Sequence, residues 1–127
     1  MKNKGPSNIG LGSLRNYKFP ITAISSILHR LSGVFLFILI PFMLWVLDLS
    51  LHHSASFYHI KSILTSGVTS FIFWLGTTAI SYHIFAGVRH LLMDVGFGES
   101  MYAAKISSVC VIVLGILAAI FWGVVLW

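Results

Sequence analysis

Acidic residues are scarce in this chain, and charged residues of either sign are few. Of 127 residues only Asp48, Asp94 and Glu99 are acidic, and all charged residues together make up 9%. Soluble globular domains contain about 25% charged residues, so the composition excludes that class. Hydrophobic residues make up 57% and the mean hydropathy is +0.94, which excludes a disordered chain because disorder requires low hydrophobicity. The composition and length therefore indicate one membrane-embedded domain.

Cysteine is almost absent. Cys110 is the only one, so an internal disulfide is impossible and a zinc or iron–sulfur site built from the chain's own cysteines is excluded. Three histidines, His52, His53 and His59, lie close together in sequence, but no acid or cysteine joins them at a metal-ligand spacing. We interpret their segment, residues 50–62, as a solvated turn with room for a short helix, and a metal site there as the less favoured alternative.

Three apolar stretches are long enough to cross a bilayer. They are residues 31–47, the segment between Lys61 and Arg89, and residues 106–127. A hydrocarbon core of about 30 Å needs about 20 helical residues. Continuous apolar runs favour helices over the alternating strands of a membrane barrel. Pro41 lies inside the first stretch, where a membrane helix tolerates it as a kink.

Pro20 suits the first position of a helix, where its missing N–H does no harm. We expect the first helix to begin there and to enter the membrane near Leu31. The predicted helices cover residues 20–51, 62–93 and 104–127, after an arm of residues 1–19. The predicted fold is an all-α membrane protein, in which a short interfacial helix precedes three transmembrane helices within a multi-subunit helical bundle.

Lysine and arginine are distributed unevenly between the two sides of the predicted membrane domain. The first loop contains only Lys61, and the second contains Arg89 and Lys105. The amino-terminal side contains Lys2, Lys4, Arg15, Lys18 and Arg30. The positive-inside rule therefore predicts a cytoplasmic amino terminus and a carboxyl terminus on the outer side. Because these charges lie at the ends of apolar spans, they indicate membrane topology and no nucleic-acid partner.

Ser26, His29, Arg30 and Gly33 recur at helical spacing and share one face of the first helix. A hydroxyl, an imidazole and a guanidinium thus line up at the cytoplasmic end of the first span. Each also has a purely structural explanation. Ser26 would cap the helix, His29 would be an interfacial polar residue, and Arg30 would contribute to the charge bias.

A second polar face on the second span contains His83, Gly87, His90 and Asp94. His83 lies about 9 Å deeper in the membrane than Arg89, at 1.5 Å per residue. An ionisable side chain at that depth is costly and by default marks function. The structural alternatives are a neutral histidine bonded to a neighbouring helix and a glycine that permits close helix packing.

The two polar faces are expected to meet, because the first two spans run in opposite directions. Their meeting predicts a site that opens near the cytoplasmic surface. A haem would use an axial imidazole in an apolar slot and cations for its propionates. A quinone would use hydrogen-bond donors and an apolar channel. The third span contains Gly115, Ala119 and Gly123 four residues apart, which indicates close helix packing without a catalytic role.

Two longer motifs resemble a known family. They are FPITAISSILHRLSG at residues 19–33 and YHIFAGVRHLLMD at residues 82–94. Both resemble signatures of the cytochrome b anchor subunit of succinate dehydrogenase (succinate:quinone oxidoreductase, respiratory complex II), the second being H-x-x-x-G-x-R-H-L-x-x-D. The resemblance extends from about Leu14 to the carboxyl terminus and is closest to the bacterial type.

This resemblance implies a multi-pass subunit of the bacterial inner membrane, with its carboxyl terminus in the periplasm. The chain would be one of two small anchors that hold a flavoprotein subunit and an iron–sulfur subunit. FAD and the iron–sulfur clusters would lie only in those partners. Haem b would be shared with the second anchor subunit, and ubiquinone would be the substrate. The chain would act in catalysis only as part of the complex.

The resemblance also implies residue roles. His83 would be an axial ligand of the haem iron, and the second anchor would supply the other ligand. Ser26 and Arg30 would line the ubiquinone site, which receives electrons from the iron–sulfur subunit. His29 and Arg30 would lie near the haem propionates, and Asp94 would lie near the quinone site.

Three alternatives stay open at this stage. A fumarate reductase anchor would use the same residues in the reverse direction. A haem-free structural anchor would leave the polar faces without a ligand. A small coupled transporter is disfavoured because such proteins usually place an acid in the middle of the membrane, whereas all three acids here lie at span ends.

Overall fold

A computed structural model describes residues 18–127. This part of the chain forms four helices: α1 (Ile21–Leu51), α2 (Ser54–Leu64), α3 (Gly67–Asp94) and α4 (Met101–Leu126). By length and composition α1, α3 and α4 are able to cross a membrane. No strand occurs in residues 18–127. The structure confirms the all-α prediction with three spanning helices, while most of the predicted arm lies outside the described residues.

The first helix is continuous from the predicted interface into the span. Pro20 is extended and precedes α1, and its carbonyl oxygen accepts hydrogen bonds from the backbone N–H groups of Ala23 (2.9 Å) and Ile24 (3.2 Å). Pro41 lies inside α1 without ending it. The predicted interfacial segment therefore corresponds to the first turns of α1, and no separate helix precedes it within residues 18–127.

The loop after α1 contains a full helix, α2, where the sequence indicated a turn with room for a short helix. Helix α2 ends at Leu64, and the backbone N–H of the next residue, Thr65, donates to the carbonyl oxygen of Lys61 (3.0 Å). Gly67 follows with a φ of +45°, a left-handed conformation that glycine adopts without a steric penalty. Helix α3 therefore begins at Gly67 and not at residue 62.

The histidines of this loop do not form a metal cluster. Nδ1 of His52 lies 2.7 Å from the carbonyl oxygen of Asp48, and His53 and His59 are exposed. Across residues 18–127, no group of three His, Cys, Asp or Glu side chains is placed to hold a metal ion. The structure gives no support to the metal alternative for this loop.

The small residues of α4 accommodate aromatic side chains from α3. A Cβ atom at Gly115 would lie 2.6 Å from Cδ2 of Tyr82, and one at Gly123 would lie 3.6 Å from Nε1 of Trp74. The same Trp74 nitrogen donates to the carbonyl oxygen of Ala119 (2.8 Å). The predicted small-residue stripe is thus a packing surface, but aromatic rings fill the space that it leaves.

Few apolar side chains of residues 18–127 are buried by the chain itself. The buried hydrophobic residues are Leu36, Leu39, Ala86, Ala104 and Val111, while most large hydrophobic side chains are exposed. An exposed apolar surface of this extent is expected for helices that face lipid or partner subunits.

Candidate functional site

The beginning of α1, the end of α3 and the beginning of α4 lie together, and we call this region the histidine end. The rings of His29 and His83 stack with centroids 4.2 Å apart and planes inclined by 29°. The ring of His90 lies 5.0 Å from that of His29, centroid to centroid. The two polar faces predicted on α1 and α3 therefore meet, as expected from their opposite directions.

The His83 ring lies against α1. Its Nδ1 atom is 2.9 Å from the hydroxyl oxygen of Ser32 and 3.2 Å from the carbonyl oxygen of His29. Gly33 leaves room for the ring, because a Cβ atom there would lie 3.0 Å from Cε1 of His83. The orientation of the imidazole is thus set by two polar atoms and one missing side chain of the neighbouring helix.

His29 has an imidazole nitrogen without a partner. Its Nε2 atom is buried and makes no hydrogen bond within residues 18–127. A Cβ atom at Gly87 would lie 3.8 Å from this nitrogen. Buried polar atoms of native proteins nearly always have a hydrogen-bond partner. Nε2 of His29 is therefore the atom at the histidine end that is best suited to form a hydrogen bond with a ligand or a partner subunit.

Ser26 and Arg30 lie in the beginning of α1, and Asp94 lies at the end of α3. Ser26 is half-buried, while Arg30 and Asp94 are exposed. Ser26 and Arg30 are one helical turn apart and share the predicted face of α1. Asp94 is the last residue of α3. Each of these side chains is accessible to a ligand or to a partner subunit.

Arg89 has a structural role that its sequence position did not reveal. It is only 7% exposed, its Nε donates to the Ser107 hydroxyl (3.0 Å), and its Nη2 donates to the carbonyl oxygen of Ala104 (3.4 Å). The sequence placed it in the second motif and in the charge bias, without a partner. It lies six residues after His83, about 120° away around the helix, and this offset places it against α4.

Tyr82 is a second residue that the sequence interpretation missed. Its hydroxyl donates to the carbonyl oxygen of Ser25 (3.0 Å) and lies 3.4 Å from the Ser25 hydroxyl. The Tyr82 ring also packs on Gly115 of α4. Tyr82 therefore connects all three spanning helices next to His83. The only available signal was its position, directly before the histidine in the second motif.

The chain resembles a family of respiratory membrane subunits over most of its length. The family described as succinate dehydrogenase/fumarate reductase transmembrane subunit matches residues 12–124. The succinate dehydrogenase cytochrome b556 subunit of Coxiella burnetii is 38% identical, with 100% of each chain covered. That of Rickettsia prowazekii is 34% identical over 91% of this chain and 87% of the relative. That of Paracoccus denitrificans is 30% identical over 84% and 82%, respectively.

The family match includes α1 and α3 with every histidine of the histidine end. Three helices able to cross a membrane are also what an anchor subunit requires. The resemblance stated from the two motifs is confirmed at the level of the family. The chain belongs to the succinate dehydrogenase/fumarate reductase transmembrane subunit family, in which it is a membrane anchor of the cytochrome b type.

Proposed function

We propose that this chain serves a bacterial succinate dehydrogenase as the anchor that binds a shared b-type haem and forms part of the ubiquinone-reduction site. The observation that carries this proposal is the pair of stacked imidazoles of His29 and His83. Nε2 of His29 is buried without a partner, and the hydrogen bonds of His83 involve only Nδ1. The relatives are named cytochrome b556 subunits, which supports a haem.

The residues present fit a haem. His83 would hold the haem iron through Nε2, and a histidine of the second anchor would supply the other iron ligand. His29 would donate a hydrogen bond from Nε2 to a propionate, and Arg30 would add a permanent positive charge. Gly33 and Gly87 keep the space beside these rings free of side chains. When bound, the haem supplies a one-electron carrier at the histidine end.

Ser26 and Arg30 are the proposed ubiquinone contacts. The Arg30 guanidinium is a cation with several N–H donors, so it stabilises the negative charge that develops on a quinone oxygen during reduction. The Ser26 hydroxyl, one turn earlier, donates a hydrogen bond to a quinone carbonyl oxygen. Asp94 lies at the same end of the bundle and is assigned near this site. The chain contributes to catalysis only within the assembled complex.

The distribution of positive charge supports an orientation in the membrane, and the orientation in turn supports the arrangement of the partner subunits. The excess of lysine and arginine on the amino-terminal side supports a cytoplasmic amino terminus and a periplasmic carboxyl terminus in the bacterial inner membrane. The iron–sulfur subunit, with the flavoprotein beyond it, then docks at the histidine end and delivers electrons to the quinone. The second anchor covers part of the exposed apolar surface. FAD belongs to the flavoprotein, and the iron–sulfur clusters belong to the iron–sulfur subunit.

Purification of the native complex in mild detergent, through a tag on this chain, tests the proposal. We expect the flavoprotein, the iron–sulfur subunit and a second anchor to co-purify, and the complex to reduce ubiquinone with succinate. Purification of this chain without the soluble subunits would contradict the proposal. So would a complex that passes electrons from succinate to a soluble dye but not to ubiquinone.

The same preparation distinguishes the two directions of the reaction. The names of the relatives favour succinate oxidation, so we expect ubiquinone reduction by succinate to be faster than fumarate reduction by a quinol. The opposite ratio would favour a fumarate reductase anchor. A complex that is active but shows no haem absorbance would indicate an anchor without haem.

A further inference from the structure

Ser32 occupies a position that neither polar face explains. It lies on α1 directly before Gly33, and its half-buried side chain faces the ring of His83. Its hydroxyl oxygen is 2.8 Å from the carbonyl oxygen of His29 and 2.9 Å from Nδ1 of His83. One hydroxyl thus connects the backbone of α1 with the side chain proposed to bind the haem iron.

The proton of each bond can be assigned from the chemistry of the three groups. A carbonyl oxygen only accepts, so the Ser32 hydroxyl donates its single proton to the His29 carbonyl. The Ser32 oxygen is then an acceptor toward Nδ1 of His83. The His29 carbonyl, 3.2 Å from the same nitrogen, is an acceptor as well. Both neighbours of Nδ1 therefore require a proton on that nitrogen.

A neutral imidazole carries one N–H group and one nitrogen lone pair. With the proton of His83 on Nδ1, the lone pair is on Nε2, which is the form of the ring that binds a metal ion through Nε2. Neither neighbour of Nδ1 has a proton left to stabilise the opposite tautomer. The hydrogen bonds of α1 thus select the tautomer before any ligand binds.

We propose that Ser32 is a positioning residue for His83, whose hydroxyl fixes the proton on Nδ1 and so presents the Nε2 lone pair to the haem iron. This inference rests on the proposed role of His83 as a haem ligand. Partners of this kind hold the ring in one orientation and increase the basicity of the ligating nitrogen, and their loss typically weakens metal binding about 10- to 100-fold.

Loss of the Ser32 hydroxyl should weaken haem binding without abolishing it. In Ser32→Ala the His29 carbonyl remains as the only acceptor, at the longer distance of 3.2 Å. The tautomer is then held less firmly, and Nε2 becomes a weaker electron donor. Because a strong donor favours ferric over ferrous iron, we expect the haem midpoint potential to rise and the affinity for haem to fall.

Ser50 provides a matched control on the same helix. Its hydroxyl donates to the carbonyl oxygen of Leu47 (2.7 Å), three residues earlier, just as Ser32 donates to His29. The Ser50 bond is exposed and stays within α1. Ser50→Ala therefore removes the same local hydrogen bond, far from His83, and should leave the haem unchanged.

The test is a redox titration of the haem in the purified complex, with the haem content measured per flavin so that poor assembly does not register as haem loss. We expect Ser32→Ala to bind haem about tenfold more weakly, at the lower end of the range for such partners. A comparable tenfold change in the ratio of ferric to ferrous affinity corresponds to about 59 mV upward for one electron. Ser32→Thr, which retains a hydroxyl able to bond the preceding turn, should restore most of the wild-type values.

Three outcomes would overturn the inference. A Ser32→Ala complex with the potential and haem content of Ser50→Ala would refute the role of Ser32 while His83 remains a ligand. Equal haem loss in Ser32→Ala and Ser32→Thr would indicate a packing effect and no role for the hydroxyl. A wild-type complex without haem would refute the proposed function and this inference with it. If Ser32→Ala does not assemble, Ser32→Cys replaces it, since sulfur is a weak acceptor.

Discussion

The two ends of the helical bundle differ in the side chains that form hydrogen bonds between the helices. At the histidine end, polar side chains bridge the helices, as in the bonds from Ser32 to His83 and from Arg89 to Ser107. The opposite end, which we call the tryptophan end, holds α2 and the Trp74 bond to the Ala119 carbonyl. Membrane helices associate through small residues and packing without needing many polar groups. The concentration of histidine, arginine and serine side chains at one end therefore supports the proposed ligand there.

The largest effect on quinone chemistry is expected from Arg30→Ala. Hydrogen bonds to charged groups contribute about 1.5–3 kcal/mol, so succinate-dependent ubiquinone reduction should fall about 10- to 100-fold. Succinate oxidation with a soluble dye, which bypasses the quinone, should be unaffected. Lys61→Ala removes an exposed cation from the tryptophan end and is the matched control. Equal activity of the two variants with ubiquinone would remove the functional difference between the ends.

A pair of glycine substitutions tests whether haem binding requires a missing side chain beside His83 but not at the other end of the bundle. In Gly33→Ala the new Cβ atom would lie 3.0 Å from Cε1 of His83, so the imidazole must shift, and we expect about tenfold weaker haem retention. In Gly76→Ala the Cβ atom would meet Cδ2 of Leu39 at 2.6 Å, which is the far end of a flexible side chain and lies away from the histidines. Haem content per flavin is the measurement, and haem loss in Gly76→Ala alone would reverse the assignment of the two ends.

Ser26→Ala should have a smaller effect than Arg30→Ala because a neutral hydrogen bond contributes only about 0.5–1.5 kcal/mol. The KM for ubiquinone should rise about two- to tenfold, with assembly and dye reduction preserved. Steady-state kinetics with a soluble ubiquinone analogue measures this change. An unaltered KM would place the quinone away from this turn of α1.

The smallest effect is expected at the tryptophan end. Trp74→Phe removes the hydrogen bond to the Ala119 carbonyl, and such bonds inside membranes contribute about 0.6 kcal/mol on average. The thermal midpoint of the complex should fall slightly, while haem content and quinone kinetics stay at wild-type values. Trp45→Phe, at an exposed position without an inter-helix hydrogen bond, is the control. A change of haem potential in Trp74→Phe would show that the two ends are coupled.

The meeting of the two polar faces could be predicted from sequence because helical spacing and opposite chain directions were sufficient. The spacing of His83, Gly87, His90 and Asp94 defines a face without any knowledge of packing. The partner of each side chain could not be predicted in this way. Arg89 was counted for topology, yet it bonds to α4, since a charge count contains no information about rotation around the helix.

The roles of Ser32 and Tyr82 could not be predicted from the sequence either. Their roles depend on atoms of other helices, namely Nδ1 of His83 and the carbonyl oxygen of Ser25. Helix α2 was anticipated only as room for a short helix, because residues 50–62 combine polar and apolar side chains. The turn at Gly67, with its φ of +45°, depends on a backbone conformation that apolar periodicity does not report.

Haem binding by the histidine end through His83 is tested most directly by a reduced-minus-oxidised absorbance spectrum of the purified complex. The wild-type complex should show the low-spin band of a six-coordinate b haem. His83→Leu should lose most of that band, whereas His59→Leu, at an exposed position of α2, should retain it. A full haem band in His83→Leu would contradict the account.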